Sequence, residues 1–381
     1  MALWADNRVP QASGLCDPRF RAAGDAFAQN FADGAELGGS FAAWIDGALV
    51  VDIRGGFADR AQKTPWTDET LSCIYSSGKA VISLLMTRAV SRGQLNYDAP
   101  VAAYWPEFAE NGKDTITLGQ LLSHQAGLVG FADGMAQDGW LDWADVVRRI
   151  ETMAPLWPPG TACGYHPQTY GFAAGEILRR VDGRSIGAII REDIAEPTGL
   201  HIFCGLTEKE MTRVAQMPKP PRAPDLGEIN EATTLAFLRP HSMTTRIAPE
   251  KLMAAEIPGS NMHGNARGLA GAVHPLATGV FPPNNERLDP AAIEAALRER
   301  IRAFDLVLPF ELSWAAGLMR NINRHFGPNA HAFGHAGFGG SCVVIDPENR
   351  LTLAYVMNKM SPHLVGDPRA TRIFDAFYKA L

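Results

Sequence analysis

Ser76-Ser77-Gly78-Lys79 follows a strand-like segment, residues 71–75, and opens a long apolar run over residues 79–92. Apolar residues occupy nearly every face of that run, which predicts a buried central helix. Residues three apart share a helix face, so the Ser76 hydroxyl and the Lys79 amine should lie about one turn apart. The free N–H groups at a helix start can also stabilise an oxyanion. The stretch therefore predicts a serine nucleophile that is activated by a lysine.

A second segment could supply a proton relay to this serine. Pro159-Gly160 forms a turn ahead of Tyr165, and this turn could project the tyrosine into a cleft with its hydroxyl held in place. A lysine ammonium nearby would lower the pKa of the tyrosine, whereas burial would lower the pKa of the lysine. Ser76, Lys79 and Tyr165 together could then pass one proton from nucleophile to leaving group. The alternative is a core tyrosine whose hydroxyl is satisfied by the protein.

A third segment, Phe333-Gly334-His335-Ala336-Gly337-Phe338-Gly339-Gly340-Ser341, runs into a predicted hairpin. Such a density of glycine at a strand allows another group to approach the backbone closely. An N–H group from this strand and the N–H of Ser76 would make a two-point oxyanion hole. Taken alone, the segment is better explained as a tight turn that leads into the hairpin.

Composition describes an ordinary soluble protein. The 381 residues are 46% hydrophobic and 20% charged, with a net charge of -6. No basic cluster occurs, so we expect no nucleic-acid partner. We expect neither a signal peptide nor a membrane span, because the first residues lack a basic, apolar leader and the run after Lys79 is interrupted at Thr87-Arg88. These features predict a cytoplasmic protein.

Cysteine and histidine usage bears on redox state and metals. The cysteines are odd in number and widely spaced, which favours reduced thiols over a disulfide framework; they are Cys16, Cys73, Cys163, Cys204 and Cys342. His331 and His335 have a metal-like spacing, but they lie in a glycine-rich segment with no carboxylate beside them. We therefore predict no metal site and no cofactor.

The order of elements predicts an α/β (α+β) architecture. Residues 40–53 form a predicted hairpin around Asp46-Gly47, and residues 342–357 form a second around 347–350. Predicted helices lie between them, at about 117–122, 140–153, 171–181 and 185–194, and a last helix follows at 371–380. Residues 218–283 are weakly patterned and predicted irregular. The chain should thus build one antiparallel sheet from both termini, flanked by helices, with a helical insert.

With these segments in order, the chain resembles the class C β-lactamase-like serine hydrolases, and most closely the family VIII carboxylesterases. Ser76 and Lys79 match the S-x-x-K motif, Tyr165 matches the tyrosine motif, and His335-Ala336-Gly337 aligns with the lysine-threonine-glycine strand motif. The segments 121–128, with Ser123-His124, and 356–359 also look like the family. The resemblance covers about residues 20 to 380.

The resemblance implies a β-lactamase/penicillin-binding-protein-like fold. It implies one α/β domain from residues 1–78 and about 175–381, a mainly helical domain over about 79–174, and an active site in the cleft between them. Ser76 would be the nucleophile, with Lys79 and Tyr165 as its base. The N–H groups of Ser76 and Phe338 would form the oxyanion hole, and His335, Ala336 and Gly337 would bind substrate.

Two departures from the family pattern affect the predicted substrate. Pro167 stands where the tyrosine motif has an asparagine, and His335-Ala336 replaces the lysine-threonine pair of the strand motif. The losses weaken the case for β-lactams, which carry a carboxylate, although His335 would still donate one hydrogen bond.

The leading functional prediction is a carboxylesterase that cleaves short-chain esters through an acyl-enzyme on Ser76. The alternatives within the fold are a β-lactamase, a D-aminopeptidase or an acyltransferase, and outside enzymes a non-catalytic binding protein. The expected partner is a small-molecule ester. The sequence predicts neither the oligomeric state nor the physiological substrate.

Overall fold

A ten-stranded antiparallel sheet organises the molecule. The computed structural model describes residues 1–381. Strands from both termini form this sheet in the order β1-β2-β4-β3-β15-β14-β13-β12-β11-β10. They are β1 Ala2–Leu3, β2 Ser13–Cys16, β3 Gly38–Ile45, β4 Ala48–Gly56, β10 Ile301–Phe304, β11 Glu311–Trp314, β12 Met319–Arg320, β13 Phe333–Ala336, β14 Cys342–Asp346 and β15 Leu351–Met357. The predicted sheet from the two termini is confirmed.

Five short strands lie outside this sheet. Three of them form a small antiparallel sheet in the order β5-β7-β6, and two form a hairpin, β8-β9. They are β5 Ser72–Cys73, β6 Ile202–Phe203, β7 His263–Gly264, β8 Val280–Phe281 and β9 Glu286–Arg287.

Ten α-helices of five residues or more cover the sheet and build the part of the chain between its two halves. They are α1 Arg21–Ala32, α2 Lys79–Ser91, α3 Leu118–Leu122, α4 Trp143–Thr152, α5 Thr169–Asp182, α6 Ile186–Ile190, α7 Pro249–Ala254, α8 Ala266–Val273, α9 Pro290–Leu297 and α10 Pro368–Tyr378. None of these helices combines the length and the apolar character that a membrane span needs.

Local sequence explains the central pair of strands. β3 and β4 are joined by Asp46 and Gly47, whose φ angles of 49° and 82° are both positive. A two-residue hairpin turn of this kind matches the twist of the strands that it joins. β15 then pairs with β3 along its whole length, from Leu351 opposite Ile45 to Met357 opposite Gly39. This pairing is where the two ends of the chain meet.

The two faces of the sheet have separate cores. On one face α1 packs against α10, with the rings of Phe20 and Phe377 stacked 4.1 Å apart. On the other face α8 covers β3 and β15, and α2 lies against α8, α5 and α9. Every residue of α2 from Lys79 to Ala89 is buried, which confirms the prediction of a central helix. α2 therefore holds its first turn rigidly in the middle of the protein.

The prediction of irregular structure over residues 218–283 is wrong in part. The buried helix α8 lies within it, capped by the Asn265 side chain, which accepts a hydrogen bond from the N–H of Gly268. Small residues form the buried face of this helix, so its apolar periodicity is weak in the sequence.

All five cysteines are free thiols, as predicted. The two-domain division remains a prediction.

Candidate active site

Ser76 lies in a tight turn directly before α2. A short 3₁₀ turn covers Tyr75–Gly78, and Tyr75 has a φ of 45°, in the left-handed region that a tyrosine rarely adopts. Strain of this kind persists only where the surroundings enforce it. Ser76 and Tyr75 both line one cavity.

Lys79 is completely buried, and its amine has three partners. The Nζ atom lies 2.9 Å from Ser76 Oγ, 3.0 Å from the carbonyl oxygen of Pro167 and 2.6 Å from that of Gly259. Burial lowers the pKa of Lys79 well below its ordinary value. In a neutral amine the two carbonyl oxygens take both N–H bonds, because a carbonyl can only accept. The nitrogen lone pair is then directed at the Ser76 hydroxyl.

Tyr165 completes the contacts of the nucleophile. Its hydroxyl donates to Ser76 Oγ over 2.6 Å, and burial raises the pKa of the phenol above its ordinary value. The expected lowering of this pKa by a lysine ammonium does not appear, because burial is the largest effect on the phenol. Tyr165 is a neutral proton donor in the resting site. Asp305 positions it, since Oδ1 accepts a hydrogen bond of 2.9 Å from the Tyr165 N–H.

Pro167, where the family pattern has an asparagine, contributes through its backbone. Its carbonyl oxygen is one of the two that hold Lys79. An amide side chain is still present, because Gln168 lines the cavity one residue later. Gln168 Oε1 accepts a hydrogen bond of 2.7 Å from Ser260 Oγ, which sets the direction of the amide.

The end of β13 packs directly against the nucleophile turn. Ser341 Oγ donates to the carbonyl oxygen of Ile74 over 2.8 Å and lies 3.1 Å from Ser77 Oγ. A Cβ atom on Gly337 would lie 2.3 Å from the carbonyl oxygen of Ile74, so only glycine fits there. The N–H groups of Ser76 and Phe338 donate to no acceptor in the protein. Both are thus available to an oxyanion.

His335 is fully buried on the cavity wall. Its Nδ1 lies 2.9 Å from the carbonyl oxygen of Ala336 and must carry the hydrogen, because that oxygen can only accept. Burial, with a smaller effect from Lys79, lowers the pKa of His335 to about 3. Nε2 therefore carries a lone pair, and it has no partner in the protein. The expectation that His335 donates a hydrogen bond to substrate is wrong, because its one N–H is already used.

The cavity itself has a volume of about 250 Å³ and is mostly apolar. Side chains from the long segment between Pro218 and Pro283 and from the C-terminal half form its walls, and none of the lining residues is an acid, a lysine or an arginine. Its apolar lining includes Pro224, Leu226, Phe237, Leu238, Met243, Leu308, Met319, Phe338, Leu364 and Val365. Such walls favour a small, uncharged ligand.

Two buried histidines, His124 and His166, are hydrogen-bonded to each other next to Tyr165. The ring of His124 packs 4.9 Å from the ring of Tyr165, and His124 Nδ1 accepts a hydrogen bond of 3.1 Å from the N–H of His166. His166 Nε2 in turn accepts from the N–H of Leu128. The Ser123-His124 segment indicated the family, but its contact with Tyr165 was not predicted.

Several further contributors were also missed. These contributors are distant in sequence from the residues that they contact. They are the backbone carbonyl of Gly259, the side chain of Asp305 and the side chain of Ser341. A backbone carbonyl cannot be recognised from the residue type, because every residue has one. A single aspartate or serine among many is only a very weak indication of a site residue.

Comparison with known proteins identifies the family of the chain. The "Beta-lactamase" family model matches residues 25–377. The chain is 32% identical over 376 residues to "Esterase/beta-lactamase LipL" from Mycobacterium tuberculosis, covering 92% of this chain and 84% of that protein.

Two solved structures are similar along nearly the whole chain. A penicillin-binding protein homologue from Caulobacter crescentus has a TM-score of 0.94 and 48% identity, covering 97% of this chain and 100% of that one. A family VIII carboxylesterase has a TM-score of 0.91 and 37% identity, with the same coverage. A family match across most of the chain, with the fold and the serine-lysine turn in place, shows that this protein belongs to the beta-lactamase family, whose fold is shared by esterases and β-lactamases.

Proposed function

We propose that the protein is a carboxylesterase that hydrolyses short-chain carboxylic esters through an acyl-enzyme on Ser76. The observation that carries this proposal is the placement of Ser76 Oγ between Lys79 Nζ, at 2.9 Å, and Tyr165 OH, at 2.6 Å. A nucleophile with both a base and an acid in hydrogen-bond range meets the geometric requirement for acyl transfer.

In the acylation step, Ser76 Oγ attacks the ester carbonyl carbon while its proton passes to the lone pair of Lys79. The carbonyl oxygen becomes an oxyanion that accepts hydrogen bonds from the N–H groups of Ser76 and Phe338. When the intermediate collapses, the carbon–oxygen bond to the alcohol breaks. The leaving alkoxide takes the proton of Tyr165, and the ammonium of Lys79 restores it.

Deacylation repeats these steps with water. Once the alcohol has left, Lys79 and Tyr165 are both neutral again, so the site returns to its resting protonation state. Water then attacks the acyl carbonyl carbon and gives a proton to the pair Lys79 and Tyr165. When the acid leaves, this pair returns the proton to Ser76 Oγ. Because no other titratable group contacts Ser76 Oγ, the same two side chains serve both halves of the reaction.

The cavity supports a short, neutral ester over a β-lactam. A volume of about 250 Å³ is small for a ligand pocket. A carboxylate would lose its hydration in a cavity that no lysine or arginine side chain lines, which is costly. The names of the relatives include both esterases and β-lactamases, so both classes of substrate must be compared directly.

A panel of 4-nitrophenyl esters of increasing acyl length, with a penicillin and a chromogenic cephalosporin, tests the proposal. We expect the highest kcat/KM for short acyl chains, weak or no hydrolysis of the penicillin, and at most slow hydrolysis of the cephalosporin. His335→Lys should shift the preference towards β-lactams by adding a cation. Wild-type turnover of the penicillin as efficiently as of the butyrate ester would contradict the proposal.

We also propose a cytoplasmic location, which rests on the five unpaired cysteines, since thiols stay reduced in that compartment. Fractionation of the source cells with an antibody to the protein tests this. Recovery with the soluble cytoplasmic fraction is expected, and recovery from the cell exterior would contradict it.

A further inference from the structure

The turn between β13 and β14 contains a chain of hydrogen bonds that leads to the N–H of Phe338. The N–H of Gly340 donates to the carbonyl oxygen of Gly337 over 3.1 Å. That carbonyl and the Phe338 N–H belong to one planar, trans peptide group, so they point in opposite directions. The hydrogen bond from Gly340 therefore sets the direction of the Phe338 N–H. Phe338 lines the cavity, and its N–H is one of the two that are available to an oxyanion.

Arg369, the second residue of α10, holds the next peptide group of this chain. Its Nη2 atom donates to the carbonyl oxygen of Gly339 over 2.8 Å, and the N–H of Ser361 donates to the same oxygen over 2.9 Å. The Gly339 carbonyl and the Gly340 N–H share one peptide group. A cation thus lies two peptide groups away from the Phe338 N–H, and a hydrogen bond joins each step to the next.

Other partners immobilise the guanidinium of Arg369, which is only 6% exposed. Its Nε and Nη2 atoms donate to the two carboxylate oxygens of Asp367 at 3.0 and 2.9 Å. Its Nη1 atom donates to the carbonyl oxygen of Lys359 at 2.7 Å and to Glu36 Oε2 at 3.3 Å. The donors of a guanidinium lie in one rigid plane. The partners that fix this plane therefore also fix the direction of the N–H bond to Gly339.

The glycines of the turn allow the guanidinium to approach the backbone. A Cβ atom on Gly340 would lie 2.4 Å from Arg369 Nη2 and 2.5 Å from Asp367 Oδ2. The φ angle of Gly340, 123°, also lies in the region that favours glycine. The glycine density of this segment predicted that another group approaches its backbone closely. On the side of α10, that group is Arg369.

We propose that Arg369 is a positioning residue for the oxyanion hole, which aligns and polarises the Phe338 N–H through the two peptide groups of the turn. This inference rests on the proposed esterase function. Hydrogen bonds in a chain strengthen one another, so a cation at one end makes the N–H at the other end a better donor. That N–H matters most when negative charge develops on the ester oxygen. Loss of Arg369 should therefore weaken binding of the transition state more than binding of the substrate.

Three variants test the proposal. Arg369→Met removes every donor of the side chain, whereas Arg369→Lys keeps a cation that can donate to Gly339. Arg191→Met is the matched control. Arg191 also binds a carboxylate, that of Glu210, at 2.6 and 2.9 Å, and a backbone carbonyl, that of Gly205, but it lines no part of the cavity.

Two ketones with the same propyl chain separate alignment of the oxyanion hole from general damage to the site. Propyl trifluoromethyl ketone forms a tetrahedral adduct with a nucleophilic serine, and this adduct carries an oxyanion. Methyl propyl ketone stays a neutral carbonyl compound and resembles the ground state. The inhibition constants of both ketones are measured for each variant, together with kcat and KM for 4-nitrophenyl butyrate.

We expect Arg369→Met to lower kcat/KM and to weaken binding of the trifluoromethyl ketone by about 10-fold or more each, since loss of a whole donor costs about 10² to 10³-fold. Arg369→Lys should recover part of both losses. Binding of methyl propyl ketone, and all constants of Arg191→Met, should stay near wild type. If Arg369→Met does not fold, Asp367→Asn combined with Arg369→Met takes its place, because it also removes the carboxylate that is left unpaired.

A folded Arg369→Met protein with wild-type kcat/KM and wild-type affinity for the trifluoromethyl ketone would overturn the inference. Equal weakening of both ketones would also overturn it, because that is the result of a merely structural role. Either result leaves the esterase function intact. Absence of ester hydrolysis by the wild type would instead overturn the proposed function.

Discussion

Lys79 Nζ lies 2.9 Å from Ser76 Oγ, and the other two partners of the amine are carbonyl oxygens. The protein contains an informative contrast in Lys113, another fully buried lysine. All three partners of its amine are carbonyl oxygens, those of Glu110, Glu151 and Met153. Three acceptors require an ammonium, whereas two acceptors and a hydroxyl allow a neutral amine. The difference is the reason why we propose Lys79, and not Lys113, as the base.

The pH dependence of activity should follow Lys79. Its amine acts as a base only when it is neutral, so kcat/KM should rise with pH through the pKa of this group and then level off. Because burial lowers this pKa, the rise should lie well below the ordinary lysine value of about 10.4. Lys79→Met should lower kcat by roughly 10² to 10⁴-fold. Steady-state kinetics of an activated ester across pH measures both effects.

Lys113→Met is the matched control for that experiment. It removes a buried ammonium and leaves three carbonyl oxygens without donors, so it should lower the melting temperature. The midpoint of the pH–rate profile should stay where it is in the wild type. A shift of this midpoint in Lys113→Met, or a wild-type profile in Lys79→Met, would refute the assignment of the base.

The hydroxyl of Tyr165 should matter more than that of Tyr170, its neighbour. Both rings lie near the Lys79 amine, at 4.9 and 5.7 Å from their centroids, but only the Tyr165 hydroxyl reaches Ser76. Tyr165→Phe should therefore lower kcat by about 10² or more, as expected for loss of a proton donor. The Tyr170 hydroxyl has no partner, and Tyr170→Phe should stay close to wild type. Similar rates in the two variants would show that the phenol is dispensable.

Gly337→Ala should damage the oxyanion site without removing any reacting group. The new Cβ would lie 2.2 Å from Ser341 Oγ and 2.3 Å from the carbonyl oxygen of Ile74. The end of β13 must move away from the nucleophile turn, which displaces the N–H of Phe338. Loss of one such donor costs about 10² to 10³-fold in kcat. Wild-type kcat in a variant whose mass and melting curve show correct folding would argue against an oxyanion hole here.

Stability should decline as the pH rises, because of Glu36. Its side chain is buried, Tyr355 donates a hydrogen bond to Oε1, and burial raises its pKa from 4.5 to about 8. The folded state then binds a proton more tightly than the unfolded state, so the free energy of unfolding falls between about pH 4.5 and 8, by at most about 1.4 kcal/mol per pH unit. Glu36→Gln should flatten this decline in denaturant titrations. Parallel pH curves for the two proteins would contradict the account.

Much of the fold could be predicted because its signals are local. The positive φ angles at Asp46 and Gly47 follow from residues that favour them, and Thr117 caps α3 together with Gln120 in a capping box. The spacing of Ser76 and Lys79 predicts their shared helix face. Helix α8 was missed because alanine and glycine form most of its buried face. Its stability comes from packing against β3 and β15, which no local pattern reveals.

The sequence predicts which residues form the candidate site better than it predicts the directions of their hydrogen bonds. That Ser76, Lys79 and Tyr165 meet could be expected from three motifs in order. That the one N–H of His335 is already used depends on which ring nitrogen meets the Ala336 carbonyl. Likewise, the lowered pKa of Lys79 depends on its burial, and the partners of its amine are carbonyl oxygens from distant loops. Residue identity indicates which residues meet, whereas only the three-dimensional structure shows the hydrogen bonds that they make.

The most direct test of the central claim is the mass of the intact protein after reaction with a serine-reactive alkyl phosphonate, followed by peptide mapping. We predict a single adduct per chain, located on the peptide that contains Ser76, and no adduct on Ser76→Ala. An adduct on Ser123 or Ser341, or unchanged labelling of Ser76→Ala, would contradict the assignment of Ser76 as the nucleophile.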